Sequence, residues 1–443
     1  MIHPIEGRYG REKVKDIFQE ENKLQKILEV EAALARAHAK VGNIPEDAAN
    51  EITKKVNEKS VKVSRVAEIE FEINHDLMAM VRALSESCGV TAGKYIHLGA
   101  TSNDIQDTAL ALQLKEFFKY LNDDLKNLKK ILLKLAGEHK NTVCIGRTHA
   151  QHAVPTTYGL KFAIYACEIQ RHIDRVLECK RRMLVGQMTG AVGTQAALGK
   201  HAVKIQKLIM KDLKLGCVLV SNQVIQRDRH AEFLLKLALI AETLNKIATE
   251  IRNLQRTEID EVSEGFGKKQ VGSSTMPHKR NPIIAERICG LSRIIKADAF
   301  AAMDNIPLWH ERDLTNSSAE RILIPESCIL TDYILNLAYD LLANLVFKYE
   351  NIERNLMMSE TIMAESIMMK LVDNGVGRQV AHELARECAM ESYNGNKTFK
   401  EILTDNKQVR AHLSKGEIWD AINPKHYIGT AVEQVETVIK KIG

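Results

Sequence analysis

Two long stretches without proline constrain the fold of this chain more than any other feature of its sequence. The eight prolines leave residues 46–154 and 156–276 without one, and stretches of that length favour long helices. Within them, apolar residues recur at alternating steps of four and three, the spacing of a helical bundle or coiled coil. We expect these helices to pack against each other or against another subunit, because a long helix cannot bury such a stripe alone. The apolar positions of the two series are Leu114, Phe118, Leu121, Leu125, Leu128, Leu132 and Leu135, and Phe233, Leu237, Ile240, Leu244, Ile247, Ile251 and Leu254.

The remaining helical patterns cover residues 156–184, 283–303 and 317–349. Pro325 should kink the last of these helices or lie in its first turn. Strand patterns are few and short, and the best of them covers residues 216–225. The predicted fold class is therefore all-α, with a central bundle of long helices. Three predicted regions differ in helix length: short helices in 1–100, long helices in 101–348 and short helices again in 349–443.

Composition and charge exclude several classes of protein. The 443 residues are 45% hydrophobic and 27% charged, with a net charge of +5, and basic and acidic residues are interspersed. Such a surface argues against a nucleic-acid partner, while an anionic small-molecule substrate remains compatible with the slight positive excess. The eight cysteines form no C-x-x-C pair, the N-terminus has no apolar signal segment, and no apolar run could span a bilayer. We therefore expect a cytoplasmic protein with no membrane partner.

Four polar patches interrupt the helical patterns, and functional groups concentrate at such boundaries between elements. The patches cover residues 72–76, 97–102, 146–152 and 271–282. The last of them, VGSSTMPHKRNP, combines backbone amides, hydroxyl groups and fixed positive charge. This combination suits the binding of a carboxylate or the stabilisation of a developing oxyanion.

The same patches also have purely structural explanations. Thr101 and Asp104 have the spacing of a capping box, so Thr101 and Ser102 could serve only to begin a helix. His149 and His152 could suggest a metal site. No H-E-x-x-H motif or carboxylate companion accompanies them, so no metal is expected.

Three of the patches carry a resemblance to a known superfamily. GSSTMPHKRNP resembles the signature loop of the fumarase/aspartase superfamily, and we use "signature loop" for residues 271–282. GRTHAQHAVPTT and KYIHLGATSNDIQDTA resemble its two other conserved blocks and occur in the same order. The resemblance covers the whole chain. It implies a three-domain helical fold and an enzyme that cleaves C–N or C–O bonds to release fumarate or a related product.

Within the superfamily the sequence is most similar to the adenylosuccinate lyase family. GRYG at residues 7–10, the block at 72–76 and RDLTNSSAER at 312–321 resemble that family's nucleotide-binding segments. The resemblance implies elimination of fumarate from adenylosuccinate and from the succinyl-carboxamide ribotide of purine synthesis. It also implies no metal or organic cofactor, and a homotetramer whose active sites are shared between subunits.

Two alternatives remain open at this point. A sibling enzyme, such as 3-carboxymuconate cycloisomerase or argininosuccinate lyase, belongs to the same superfamily, and the cycloisomerase has nearly the same signature loop. A non-catalytic helical scaffold would keep the apolar series but could lose Ser273, His149 or Lys279, and all three are present.

The resemblance also implies a role for individual residues. A β-elimination needs a base for the C–H proton and an acid for the departing nitrogen. Ser273 resembles the family's base and His149 its general acid, which Glu286 would orient. His75 resembles the auxiliary histidine, and Lys279 a group that holds the substrate carboxylates. The residues that match substrate contacts are Arg8, Tyr9, Asn74, Asp76, His97, Thr101, Ser102, Gln223, Ser274, Arg280, Asn281, Arg312, Ser317, Ser318 and Arg321.

The chain departs from the family pattern at one position near the signature loop. Many relatives have Asn after the glutamate that follows the loop, whereas this chain has Arg287. An arginine there could donate to the substrate or point elsewhere.

Overall fold

A computed structural model describes residues 3–57, 59–267, 275–276 and 278–443 of the chain. The chain divides into two compact units. The first comprises Met1–Lys126, Arg171–Asn245 and Arg287–Leu337, and the second comprises Asn127–Gln170, Lys246–Glu286 and Ala338–Gly443. The predicted all-α class is confirmed, because helices make up most of the described chain and its strands are short. The division at residues 100 and 348 stays a prediction.

The longest helices of the described residues lie in the middle of the chain, although the N-terminal region also contains one of 21 residues. The N-terminal helices are α1 (Glu12–Phe18), α2 (Glu20–Lys40), α3 (Glu46–Lys55), α4 (Val63–Ile73), α5 (Asp76–Ser87) and α6 (Val90–Gly93). The middle helices are α7 (Ser102–Glu138), α8 (Tyr158–Met183), α9 (Ala202–Leu213), α10 (Asp228–Leu254), α11 (Ile283–Asp304) and α12 (Thr315–Ala343). The C-terminal helices are α13 (Tyr349–Leu356), α14 (Ala364–Asp373), α15 (Arg378–Asn394), α16 (Phe399–Asp405), α17 (Lys407–His412), α18 (Lys415–Ala421) and α19 (Ala431–Ile442).

Two details of these helices differ from the sequence predictions. Pro325 lies inside α12, well after its first turn, so the alternative that it marks the start of the helix is wrong. The last long helix also ends at Ala343, and α13 begins separately at Tyr349. Asn344 to Lys348 therefore break what the apolar pattern alone presents as one helix.

The strands lie elsewhere than predicted. Within the described residues they form three two-stranded pairs: β1 (Val143–Thr148) with β2 (Gln151–Thr157), β3 (Val185–Gly186) with β4 (Gly216–Cys217), and β5 (Val262–Ser263) with β6 (Val346–Phe347). The predicted strand at 216–225 is wrong beyond its first two residues. The patch at 146–152, predicted as a break between helices, lies within the β1–β2 hairpin instead. The sequence did not indicate strands here because the segment contains Gly146 and Pro155, which usually interrupt strands.

Both apolar series on the long helices are buried, as their spacing predicts. Every one of their fourteen positions is buried, and the most exposed, Leu135, has only 7% of its surface accessible. In the first unit, the ring of Phe233 on α10 packs against Phe117 and Phe118 of α7, with centroids 6.1 and 5.2 Å away. One chain already covers both series, so of the two alternatives, packing within the chain or against another subunit, the first is sufficient to bury them.

The first unit has its core between the N-terminal helices and α9. Helix α2 packs on α3 and α9, and α4 packs on α5. Ile27, Leu34, Leu77 and Ile205 are among the residues fully buried in this core. Burying such side chains stabilises the unit by about 1.5–3 kcal/mol each. The core fixes the ends of α4 and α5, where the patch at 72–76 lies.

The second unit has a separate core among the C-terminal helices. Helix α14 packs on α15, α16 packs on α15 and α18, and α13 packs on β1. Ile367, Leu371 and Leu403 are fully buried there. Helix α13 thereby supports the strand that leads to the hairpin turn at 149–150. No helix in the described ranges is both long and apolar enough to cross a membrane.

Candidate active site

His149, which resembles a general acid, lies at the tip of the β1–β2 hairpin. Thr148 pairs with Gln151, so His149 and Ala150 form a two-residue turn, and their φ values are +52° and +61°. Such a tight hairpin turn requires positive φ at both positions, usually supplied by Asn or Gly. Left-handed backbone costs about 1–2 kcal/mol for a residue with a Cβ. Backbone strain of this kind occurs mainly at functional sites, where surrounding structure holds it in place.

A buried carboxylate accepts hydrogen bonds from the strand that leads to this turn. Glu261 has no accessible surface and accepts from Arg147 Nη2 at 2.5 Å, from Asn355 Nδ2 at 2.9 Å and from the Tyr158 hydroxyl. Burial, followed by the charge of Glu261, raises the pKa of Tyr158, so its hydroxyl remains a donor. Burial and then the charge of Arg147 lower the pKa of His152, so that ring is neutral near pH 7.

The described end of the signature loop borders a basic cavity in the second unit. Its volume is about 900 Å³, and it contains four predicted site residues: Lys279, Arg280, Asn281 and Glu286. Its lining also includes cations that the sequence analysis did not single out. The charged groups around it are Arg252, Arg256, Lys279, Arg280 and Lys348 against Asp260, Glu264 and Glu286, with His278 beside them. An excess of positive charge in a concave site favours an anionic ligand.

Glu264 fixes the helix start at this cavity. Its carboxylate accepts from the backbone N–H groups of Ile284 at 3.2 Å and Ala285 at 2.6 Å, in the first turn of α11. A carboxylate at a helix N-terminus satisfies free N–H groups and interacts favourably with the helix dipole. Gln255 links the backbone at Glu264 to the backbone at Arg280, because it accepts from Glu264 N at 2.9 Å and donates to Arg280 O at 3.0 Å. The position of Arg280 is therefore set by hydrogen bonds as well as by chain connectivity.

The patch at 72–76 contacts α12 within the first unit. Asn74 ends α4 in a left-handed conformation, and His75 caps α5 by accepting from Met78 N at 3.2 Å. Asp76 accepts from Arg321 at 2.5 Å and from Gln106 Nε2 at 3.2 Å. The structure thus brings together Asp76 and Arg321, which are 245 residues apart.

Asp76, Ser317 and Arg321 line one cavity of about 260 Å³. Ser317 is partly exposed and Ser318 exposed, and both lie in the first turns of α12, the positive end of the helix dipole. Arg321 is the positive charge beside them, and more than half of its side chain is exposed.

Two further predicted contacts, Gln223 and Arg312, are bonded to each other. Arg312 Nη1 donates to Gln223 Oε1 at 2.7 Å, and Gln223 Nε2 donates to Ala191 O at 2.8 Å. Burial lowers the pKa of Arg312, and its Nε is buried without a partner among the described residues. An unpaired buried donor is costly unless a ligand or water binds it.

The helix start at 101–104 has half of the predicted capping box. Thr101 N donates to Asp104 Oδ2 at 3.0 Å, and α7 begins at Ser102. Asp104 is completely buried and also accepts from the N–H groups of Thr189 at 2.8 Å and Gly190 at 3.0 Å. Burial raises the pKa of Asp104 in spite of these donors. Asp104 therefore joins the 97–102 patch to the loop at 188–195.

His97, in the same patch, is held by a carboxylate on α2. Its φ is +62°, and its Nδ1 lies 2.7 Å from Oε1 of the buried Glu31. Burial opposes protonation of His97, but the contact with Glu31 outweighs it and raises its pKa. The next carbonyl, of Leu98, lies 2.9 Å from Nε2 of His38, which is also on α2. Helix α2 thus fixes the segment that precedes Thr101.

The N-terminal segment supplies Arg8 and Tyr9. The Arg8 guanidinium lies 5.9 Å from the centroid of the Tyr9 ring, which lies 5.6 Å from that of Tyr333. Arg287, the departure from the family pattern, donates from Nη1 to the Tyr333 hydroxyl at 3.2 Å. Arg287 therefore contacts the aromatic pair that includes Tyr9.

The predicted site residues are distributed over both units, and two of them are not described. Ser273 and Ser274 lie outside the described residues. Of the rest, His149, Lys279, Arg280, Asn281 and Glu286 belong to the second unit, and the other predicted site residues belong to the first. The contacts Asp76–Arg321 and Gln223–Arg312 are found between predicted residues. The assignment of catalytic and binding roles stays a prediction.

Sequence reasoning missed the buried charged groups that support these residues. Arg227 donates bidentately to Asp107, with distances of 2.8 and 2.9 Å, and to Glu320, with distances of 2.9 and 3.1 Å. The sequence analysis also missed the buried carboxylates Glu31 and Glu261. Each lies in a sequence segment rich in other charges, so nothing in the sequence separates them from solvated surface residues.

Comparisons with known proteins identify the class of enzyme to which the chain belongs. The family model described as "Lyase" matches residues 7–296. The crystal structure of a fumarate lyase from Mesorhizobium sp. BNC1 superposes with a TM-score of 0.90 at 31% identity, covering 98% of this chain and 99% of that one. A 3-carboxy-cis,cis-muconate lactonizing enzyme from Pseudomonas putida gives 0.89 at 32% identity, with coverages of 98% and 97%. The chain is a lyase of the fumarase/aspartase superfamily.

A second family model, described as "Adenylosuccinate lyase C-terminus", matches residues 360–438. The adenylosuccinate lyase of Methanocaldococcus jannaschii is 55% identical over 443 residues, covering 100% of this chain and 96% of that protein. The adenylosuccinate lyase of Pyrococcus abyssi is 55% identical over 442 residues, with coverages of 100% and 98%. The chain belongs to the adenylosuccinate lyase family.

Proposed function

We propose that this protein eliminates fumarate from adenylosuccinate, giving AMP, and from succinylaminoimidazole carboxamide ribotide, giving the free carboxamide ribotide. The observation that supports a nucleotide substrate is the group formed by Asp76, Ser317 and Arg321 at the start of α12. A helix N-terminus with a serine and an arginine suits a phosphate. Neither muconate nor argininosuccinate carries a phosphate, so this group favours the nucleotide over the substrates of the sibling enzymes.

The proposed mechanism assigns one proton transfer to each of two residues. Ser273 removes a proton from the succinyl carbon next to the one bonded to nitrogen. The electron pair of that C–H bond forms the C=C bond of fumarate as the C–N bond breaks. His149 donates a proton to the departing nitrogen, so that charge balances at the leaving group. Lys279 and Asn281 stabilise the negative charge that spreads into the succinyl carboxylate. His75 and Glu286 are proposed as auxiliary groups to this chemistry.

The direct test is turnover of adenylosuccinate by the purified protein, followed by the change in ultraviolet absorbance. We expect AMP and fumarate as products. Argininosuccinate and 3-carboxymuconate, assayed in parallel, should not be consumed. Turnover of either in place of adenylosuccinate would instead establish a sibling activity, and absence of all three activities would favour the non-catalytic scaffold.

Replacing Arg321 with alanine should weaken nucleotide binding by roughly 1.5–3 kcal/mol, the contribution of a charge-assisted hydrogen bond. The measurement is calorimetric titration of AMP into wild-type and R321A protein. Arg65 offers a matched control, because it also pairs with carboxylates on the surface of the first unit but borders neither cavity. Equal AMP affinity in wild-type and R321A protein would show that Arg321 does not bind the phosphate.

We also propose a cytoplasmic homotetramer whose active sites are shared between subunits. Apolar side chains remain exposed on the long helices after the chain has buried both apolar series. In the first unit they include Leu177, Leu235, Leu239, Ile294 and Phe300. Exposed apolar groups on several helices favour association with further copies. The support for assembly therefore comes from these residues and not from the two buried series.

Mixing two inactive variants tests the shared site. S273A and H149A proteins, each inactive alone, should regain partial activity after subunit exchange, because some sites would receive both wild-type residues from different chains. Mass spectrometry of the mixed oligomers verifies the exchange. If exchange is complete and turnover stays at the background of the single variants, Ser273 and His149 act from one chain.

A further inference from the structure

The buried carboxylate of Glu261 is the meeting point of three elements in the second unit. It accepts from Arg147 on β1, from Tyr158 at the start of α8 and from Asn355 on α13. Its side chain is 1% exposed, and that of Arg147 is 17% exposed. A carboxylate taken out of water at this depth is stable only with such a full set of donors.

Arg147 connects this carboxylate to the hairpin turn. It lies two residues before His149, and it pairs with His152 across the hairpin. The strand has an irregularity between Ile145 and Arg147, at Gly146. A Cβ on Gly146 would lie 2.6 Å from Val154 O, so only glycine fits this close approach. The bulge therefore sets the direction in which the Arg147 side chain leaves the strand.

The turn itself needs external support. His149 and Ala150 both have left-handed backbone without being glycine, and each would gain by relaxing to an ordinary conformation. A two-residue turn at the tip of a hairpin keeps such a conformation only when the strands beneath it are fixed. The ion pair of Arg147 with Glu261 fixes β1 immediately before the turn.

We propose that Glu261 is a positioning residue for His149 and acts through Arg147. The proposal rests on the proposed role of His149 as general acid. Glu261 does not touch substrate; it holds the strand so that the imidazole reaches the departing nitrogen. Donor and acceptor must lie within about 2.6–3.2 Å for proton transfer, so a small shift of the turn should slow the chemical step. It should leave nucleotide binding, assigned to other residues, nearly unchanged.

The decisive variants are Arg147→Met and Glu261→Gln, compared with Arg147→Lys. Met keeps the length and apolar stem of Arg147 but removes the guanidinium that donates to Glu261. Gln keeps the shape of Glu261 but removes its charge. Lys restores a charge with a single point of contact, so it should restore part of the function. The matched control is Glu250→Gln, which removes a carboxylate of the same unit that accepts from Lys161 Nζ at 2.6 Å and makes no hydrogen bond with Arg147.

Steady-state kinetics with adenylosuccinate should separate positioning from general stability. For R147M and E261Q we expect kcat to fall by about 10–10²-fold, the loss that a misplacement of about 1 Å can cause, with KM changed less than about twofold. R147K should lie between R147M and wild type. E250Q should have wild-type kcat. If E261Q or R147M does not fold, R147K decides, because lysine keeps a positive charge beside the buried carboxylate while losing the guanidinium, and its kcat should still lie below that of wild type.

Three outcomes would overturn the proposal. The first is wild-type kcat in folded R147M or E261Q, and the second is a loss in R147M that R147K does not reduce. The third is a parallel change of kcat and KM in both variants. His149→Ala is assayed in parallel, because it separates failure of the proposed role of His149 from failure of the proposed role of Glu261. If H149A keeps its turnover, the proposed role of His149 fails; if H149A is inactive while R147M is normal, only the positioning role fails.

Discussion

Replacing His149 or Ser273 with alanine is expected to lower kcat by about 10²-fold or more while the fold remains intact. Each substitution removes one of the two groups that transfer protons in the proposed elimination, and general acid or base catalysis contributes about 10²–10⁴-fold. Position 149 tolerates the change structurally, because alanine already occupies the second left-handed position of the turn. Steady-state kinetics with adenylosuccinate, together with circular dichroism of each variant, provide the measurement.

His152 supplies the control for His149. It lies on β2, three residues after His149, and pairs with Arg147 of β1. Its ring is neutral near pH 7, because burial and then the charge of Arg147 lower its pKa. The loss of kcat in H152A should be much smaller than the loss in H149A. Near-normal turnover by H149A or S273A would remove that residue from its assigned role.

Replacing Arg227 with methionine is expected to destabilise the protein by about 3–5 kcal/mol, the cost of breaking a buried ion pair from one side. Asp107 and Glu320 would be left buried without their guanidinium. Burial opposes ionisation of Asp107, and Arg227 outweighs it and lowers the pKa; burial raises the pKa of Glu320 in spite of Arg227. The adjacent His230 is already held neutral, since burial and then Arg227 lower its pKa to about 3.

Urea unfolding of wild-type and R227M protein measures the change in the free energy of unfolding. Arg36 provides the matched control: it donates to Asp212 at 2.6 Å within the same unit, but both side chains are more than one-third exposed. Removing an exposed pair costs at most about 1 kcal/mol. A loss in R227M no larger than that in R36M would mean that the two carboxylates become protonated or hydrated without their partner.

The same ion pair has a consequence for the proposed nucleotide site. Glu320 precedes Arg321 on α12, and Asp107 accepts from Ile225 N at 2.9 Å in the segment that also contains Gln223. Arg227 therefore ties the start of α12 to α7 and to the 222–227 segment. A partly unfolded or shifted α12 in R227M would be expected to raise KM for the nucleotide along with the loss of stability.

The long helices could be predicted from the sequence because their signal is local and repeated. Each apolar residue of the two series predicts its neighbours three and four positions away, so a single misplaced residue does not hide the pattern. The burial of all fourteen positions confirms this. The family, too, could be identified from short motifs, because the signature loop and the two other blocks are contiguous stretches of sequence.

The β1–β2 hairpin could not be predicted in the same way. Its turn is His149–Ala150, which is not one of the Asn-Gly, Asp-Gly or Gly-Gly pairs that signal a two-residue hairpin, and its strands contain Gly146 and Pro155. Beneath the turn, Arg147, Tyr158 and Asn355 donate to the carboxylate of Glu261, and these four residues are up to 208 positions apart. A conformation maintained by distant partners leaves no local pattern.

By itself the sequence determined the helical class, the faces of the long helices that become buried and the family, since all of these depend on neighbours in the chain. Only the tertiary structure decided which charges are buried and which partners they have. Glu261 resembles its neighbours Glu258 and Glu264 in sequence, yet it alone of the three has no accessible surface. The free energy of a charge depends on the groups that surround it in space, and a chain of 443 residues brings those groups together from distant segments.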